Sequence, residues 1–397
     1  MMTPRESTAV PTGAMSRPRF LVFGSYDADR HPRVAVLRDG LRAAGHDVAE
    51  LNRPLGMSTS DKVDAARSMR GSVRLLRSMA RSWWRLARSR RTVETPDVVV
   101  VGYLGHFDVH LARLLWPRAT IVLDHMVGLA DTVRDRGVDR GPVYRVLDAV
   151  DRAALRRADL VLVDTDEQRD HLPVAVRERV VVVLVGASDQ WFEADRPRRE
   201  LPLEVCFVGL YTPLQGAPVI GEAIAALADD ERLHFTMIGG GQDLDTTRQA
   251  AVGGRVRWVD WVPATELPAV VASHDVGLGI FGTSPKASRV VPNKVYQSIA
   301  AGNVVVTSDT AAQRRVLGDL AHYVPAGDPG ALAELLGALA DELEAGLPGP
   351  TFPGARDAAA FRPVSVVRPL LDALGLDAAA QHGSPEVGPA TSSAGTT

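Results

Sequence analysis

Residues Asp275–Thr307 read DVGLGIFGTSPKASRVVPNKVYQSIAAGNVVVT. Val276–Ile280 is a short run with no polar face, as a strand covered on both sides requires. Lys294–Ala301 follows with helical spacing and stops at Gly302, a residue that ends helices by taking the left-handed conformation. Val304–Thr307 is a second apolar run. Strand, loop, helix and strand in that order make a parallel βαβ unit. Its loop and helix start carry Lys286, Arg289 and Lys294 with no acid among them. A helix start offers outward-pointing backbone N–H groups, so three cations there predict an anion seat. A solvated basic loop is the plain alternative.

The same alternation runs through most of the chain. Phe20–Phe23, Val98–Val101, Ile121–Leu123, Leu160–Val163 and Val180–Leu184 are strands of a first series. After the polar, Pro- and Arg-containing stretch Trp191–Leu203 come Val205–Val208, Phe235–Ile238, Val256–Val259, Val276–Ile280 and Val304–Thr307. This predicts an α/β fold of two tandem Rossmann-like, doubly wound domains, residues 18–195 and 196–360. Residues 1–17 and 378–397 lack apolar periodicity and are expected to be disordered tails. Ligands of such sheets sit beyond the carboxyl ends of the strands, so two facing sheets define one cleft. Gly209 and Gly239-Gly240-Gly241 each follow an apolar run, where a glycine lets backbone approach a ligand closely. A tight strand–helix turn explains them equally well. Neither spells the dinucleotide fingerprint with its partner acid, and a phosphate-binding P-loop is absent too.

Composition narrows the class. The chain has 397 residues with 45 Lys plus Arg against 48 Asp plus Glu, a near-balance that argues against a dedicated nucleic-acid binder. Cys206 is the only cysteine, which excludes an internal disulfide and a cysteine metal cluster. No apolar run reaches the roughly 20 residues of a membrane-spanning helix, and the first residues have no signal-peptide core. A cytoplasmic protein is expected.

The order strand, loop, P-x-K-x-x-(acid)-x-x-A-x-G, strand resembles the donor-binding segment of the GT-B glycosyltransferases, especially the retaining family 4. The matching residues are Pro292, Lys294, Gln297, Ala300 and Gly302. Phe207-Val208-Gly209 with Gly216 is similar to the family's first C-domain turn, Met237–Gly241 to its next strand, and Val183–Phe192 to its interdomain segment. Residues 361–377 match its crossover helix back to the first domain. The resemblance implies a GT-B fold and transfer of a sugar from a nucleotide diphosphate sugar to an acceptor hydroxyl, with retention. It implies no cofactor and no metal. The resemblance gives the nucleotide to Gly239, Gly240 and Gln297, and Lys286, Arg289 and Lys294, beside Gly209, are expected to supply the donor diphosphate charge that the first C-domain turn lacks. Gly24, Ser25 and Tyr26 become the acceptor loop, and Asp124 and His125 the catalytic pair. For His125, a structural histidine is the alternative; for Asp164-Thr165, which also end a strand, a helix cap.

Three departures stand out. The family often has Arg and Lys in the first C-domain turn, where this chain has Tyr211 and Gln215. Gln297 replaces a ribose-binding glutamate, and Arg289 stands where the earlier acid belongs. The departures keep two other readings open: a nucleotide-sugar epimerase, with Asp124 and Asp164 as candidate carboxylates, and a non-catalytic nucleotide-sugar-binding subunit.

Residues 67–91 contain nine arginines and no acid, leaving 36 basic and 48 acidic residues elsewhere. At helical spacing the arginines from Arg67 to Arg88 fall within an arc of about 80°, with Met69, Val73, Leu76, Met79, Trp83, Trp84 and Leu86 filling much of the rest. One reading packs the apolar face on the first sheet and leaves the arginines in water. The other lays the helix on an anionic membrane surface, placing the protein peripherally on the inner face with a lipid-linked or envelope acceptor, or a secondary-metabolite glycoconjugate.

Overall fold

The computed structural model describes residues 17–27, 31–54, 69–135, 137, 140–195, 201–346 and 357–376. The expected tails, apart from Arg17, lie outside the described residues.

Two six-stranded parallel sheets form the frame. The first holds β1 (Phe20–Gly24), β2 (Val48–Asn52), β3 (Val98–Val101), β4 (Thr120–Asp124), β5 (Leu160–Val163) and β6 (Val180–Val182), in spatial order β2-β1-β3-β4-β5-β6. The second holds β7 (Leu203–Val208), β8 (Leu233–Ile238), β9 (Val256–Val259), β10 (Val276–Leu278), β11 (Val304–Ser308) and β12 (His322–Val324), in order β12-β11-β10-β7-β8-β9. In each sheet the winding reverses beside the first strand, between β1 and β3 and between β7 and β10. Those reversals open a crevice at the carboxyl ends.

The central strands are apolar on both faces because helices cover both. Leu21, Phe23, Val99, Val101, Ile121 and Leu123 feed one buried cluster, while Phe20, Val22, Val98, Val100 and Val122 feed another. This is the period of two that a strand imposes. β2 and β12 are edge strands that the sequence pattern does not announce. β2 reads VAELN with only Val48 and Leu51 buried, and β12 is the three-residue HYV. An edge strand keeps one flank and part of its face in water, so it does not need a continuous apolar run.

The chain end returns to the first lobe as two short helices, Pro363–Val366 and Arg368–Ala373. Val366, Val367, Leu370 and Leu371 join the cluster holding Val34, Leu37 and Leu41. Just before them, the Phe361 ring meets Tyr296 of the second lobe edge-on at 5.0 Å. This segment therefore packs on both lobes.

The basic stretch forms the helix Met69–Ser89. Leu86 is fully buried and Trp83 packs on the first sheet's cluster, while Arg77, Arg81, Arg85 and Arg88 are exposed. Arg67 lies outside the described residues, as do the side chains of Arg70 and Arg74. Among the described residues no helix is long and apolar enough to cross a membrane.

Candidate functional site

The glycines that end β7 and β8 form adjoining shelves. The Gly209 N–H donates to the Ile238 carbonyl at 3.0 Å, the Tyr211 N–H to Gly240 at 3.0 Å, and the Gly239 N–H to Val259 at 2.8 Å. Gly239 has φ +116°, and a Cβ there would stand 2.0 Å from the Gly209 carbonyl oxygen, so only glycine fits.

Lys294 enters this corner from the first turn of the helix Asn293–Ala301, which starts after Pro292 and ends at Gly302 with φ +79°. Its Nζ donates to Gln215 Oε1 at 2.6 Å and stands 3.5 Å from the centre of the Phe207 ring. A Cβ on Gly209 would lie 2.8 Å from that Nζ. Burial holds the Lys294 ammonium well below its usual pKa. Among the described residues no carboxylate pairs with it. A buried ammonium whose partners are an amide oxygen and an aromatic face is poised for an anion. Gln297, one turn on, shares its face, and the two line a water-sized cavity of about 10 Å³ with Trp191, Cys206 and Val208. Gly209, Lys294 and Gln297 are thus brought together, with Gly239 and Gly240 alongside. Gln215, which the sequence marks only as a departure from the family's cation, is the side chain that orients Lys294.

Lys286 and Arg289 are placed differently. They face the first lobe and engage the helix Leu129–Asp135. Arg289 grips Asp131 with two hydrogen bonds of 2.9 Å, Lys286 Nζ donates to Thr132 Oγ1 at 3.0 Å, and Ser284 Oγ to Asp135 Oδ1 at 2.5 Å. Thr165 caps the helix Asp166–His171 and also donates its hydroxyl to the Arg289 carbonyl at 2.5 Å. Both Thr165 and Arg289 therefore sit in the seam between lobes. The loop lacks acids of its own because its acid, Asp131, arrives from the other lobe. Nothing local in the sequence could announce that pairing.

Asp124, at the end of β4, is fully buried. Arg33 Nε donates to its Oδ1 at 2.7 Å, and the same guanidinium reaches the carbonyls of Val183 and Leu184 at 3.0 and 2.8 Å. Burial raises the Asp124 pKa and the Arg33 charge opposes the rise. Asp164, at the end of the neighbouring β5, is pushed up to about 6 by burial. His125 is 7% exposed, with an unpartnered Nδ1 and its ring edge-on to His106 at 5.2 Å. Burial first, then the His106 charge, lower its pKa to about 3. His106 Nε2 lies 3.1 Å from Asp151 Oδ1, within ion-pair range but off the line of a hydrogen bond. Asp151 also takes the N–H groups of Leu129 and Ala130, both at 3.0 Å, and so holds the start of the helix that carries Asp131.

The Gly24-Ser25-Tyr26 loop leaves β1 at the reversal point of the first sheet. Asp108 Oδ2 accepts the Ser25 N–H at 2.7 Å and its hydroxyl at 2.8 Å, and Tyr26 donates to Glu50 Oε1 at 2.6 Å. Burial, then that bond to Glu50, keep the Tyr26 phenol un-ionised. Asp108 carries no sequence signal beyond its place at a helix start.

Residues 202–342 match the family described as glycosyl transferases group 1. Among solved structures the chain is similar to sucrose-phosphate synthase of Thermosynechococcus elongatus, with TM-score 0.64, 15% identity, and 87% of this chain and 95% of that one covered. It is also similar to HepE of Anabaena, solved with UDP and glucose, with TM-score 0.60, 12% identity, and 90% and 99% covered. The lipopolysaccharide outer core galactosyltransferase WaaB matches with TM-score 0.51, 13% identity, and 90% and 99% covered. No curated protein sequence matches the chain. The chain has the GT-B architecture, and the family match lies within its second lobe.

Proposed function

We propose that this protein moves a hexose from a nucleotide diphosphate sugar to an acceptor hydroxyl, with the donor lying between the lobes. The observation that carries the reading is the Lys294 amine, buried beside Gly209 with no carboxylate partner among the described residues. The pyrophosphate supplies the missing charge, and Gln297 takes the ribose through its amide. The solved HepE complexes with UDP and with UDP-glucose support a uridine donor.

On donor entry, Arg289 and Lys286 exchange Asp131 and Thr132 for the phosphates, so the seam opens and closes around the substrate. The sugar C1–O bond to the β-phosphate then breaks while the acceptor oxygen bonds to C1 on the same face. A leaving-group oxygen receives the acceptor proton. No protein nucleophile is required. The protein's part is to hold both substrates and stabilise the charge that builds on the diphosphate. His125, unprotonated in its buried site, orients a hydroxyl of the sugar. The acceptor belongs to a lipid-linked or envelope glycoconjugate, and the protein works at the inner membrane face.

Release of free nucleotide from UDP- or GDP-sugars, with product analysis, tests transfer against epimerisation. An epimerase returns the nucleotide sugar intact, which would overturn the reading. The burial of Asp124 against Arg33 and of Asp164 in the seam leaves no exposed carboxylate pair at these strand ends for proton exchange.

A further inference from the structure

The helix Met69–Ser89 is tied to the Gly24-Ser25 loop by two consecutive residues. Trp83 Nε1 donates to Asp108 Oδ1 at 2.8 Å, and the other oxygen of that carboxylate holds the Ser25 N–H and hydroxyl. Ser82 Oγ donates to the Arg53 carbonyl at 2.7 Å, and the Arg53 N–H donates to the Gly24 carbonyl at 3.1 Å. Trp83 therefore reaches the loop through a buried carboxylate, and Ser82 reaches it through the exit of β2.

The outward face has a different chemistry. Trp84 is 64% exposed, and Arg77, Arg81, Arg85 and Arg88 are exposed around it. The Arg88 guanidinium stands 5.7 Å from the indole centre. Among the described residues no carboxylate pairs with any of the four arginines. An indole prefers the headgroup level of a bilayer, where one side is apolar and the other wet, and guanidiniums beside it are drawn to anionic headgroups. Charge and amphipathicity together commit this face to one occupant, an anionic lipid surface.

We infer that the outward face docks on anionic lipid, and that Ser82 and Trp83 pass the docking inward to fix the Gly24–Tyr26 loop. Because it takes that loop as the acceptor side, the inference rests on the function proposed above. It deepens that reading by naming an amphiphilic acceptor, held in the same lipid surface and presented where the loop is ordered.

Vesicles of equal parts phosphatidylglycerol and phosphatidylcholine, against phosphatidylcholine alone, test the docking. The full chain is expected to float with the anionic vesicles and to be released by salt. Arg81→Glu/Arg85→Glu and Trp84→Ala should each weaken flotation at least about tenfold while leaving UDP affinity unchanged. Hydrogen exchange over residues 20–27 should slow on the anionic vesicles. Trp83→Phe keeps the ring packing and removes the donor, so it should still float but lose that slowing; Ser82→Ala should lose part of it. Wild-type protein that ignores anionic vesicles, or binds duplex DNA in preference, would overturn the docking. So would charge-reversed protein that floats as before. Equal slowing in the Trp83→Phe variant would overturn the relay. UDP titration on the same samples reads the donor site separately, so its failure would remove the enzymatic reading while leaving the vesicle results to stand.

Discussion

Lys294, His125 and Asp124 are each buried at a strand or helix end, yet their surroundings give them different duties. Asp124 is paired with Arg33 through one carboxylate oxygen. Truncating it in Asp124→Ala leaves an uncompensated buried guanidinium, and chemical denaturation should show a loss of about 3–5 kcal/mol. Arg33→Met/Asp124→Leu should recover most of that loss if the pair is a strut, whereas recovered stability without recovered activity would return Asp124 to the chemistry. His125 is held unprotonated when folded, while an unfolded histidine titrates near 6.5. Its folded pKa is depressed, so its contribution is whole above pH 6.5 and is lost as pH falls toward 3. At pH 5 the difference is about 2 kcal/mol. Asp164 has the opposite sign, since its raised pKa makes stability fall as pH rises from 3.8 to about 6. That contribution is common to wild type and His125→Asn and cancels in the comparison. The variant should therefore lose less stability than wild type between pH 7 and 5, and parallel curves would contradict the burial. In turnover, His125→Ala should lower kcat more than it weakens nucleotide binding.

Elements show what a sequence can and cannot announce. Central strands such as β3, four valines buried on both faces, are legible because burial on two sides forces an unbroken apolar run. β2 and β12 are not, because an edge strand is half-solvated. The glycine shelves and the helix that begins beside Lys294 were readable from residue type and order. The loop cations Lys286 and Arg289 were readable as a basic cluster but not as a latch, because Asp131 lies more than 150 residues away in the chain. The basic helix was legible as amphipathic, yet adjacent Trp83 and Trp84 divide between an internal hydrogen bond and water. Only the packing of the helix on Asp108 decides which is which. The latch carries its own prediction. Asp131 repels an incoming diphosphate and occupies Arg289, so Asp131→Ala should tighten UDP or GDP binding several-fold, about 0.5–1 kcal/mol. Weaker binding in that variant would mean that Arg289 works only as a strut.

At the scale of the molecule, two sheets with reversed winding face each other, and the returning chain end packs on both lobes. The seam is sewn by Arg289–Asp131, Lys286–Thr132 and Ser284–Asp135, the bonds that the proposed donor entry exchanges. The proposed function places a pyrophosphate in the gap against Lys294. Calorimetric titration of UDP and GDP into wild type and Lys294→Ala, in buffers of different ionisation enthalpy, measures it. Burial lowers the Lys294 pKa in the free protein and an anion restores it, so wild-type binding should take up protons and weaken as pH rises. Lys294→Ala should bind at least about tenfold more weakly and lose the proton uptake. Equal affinity in the two proteins, with no proton taken up by either, would contradict the account.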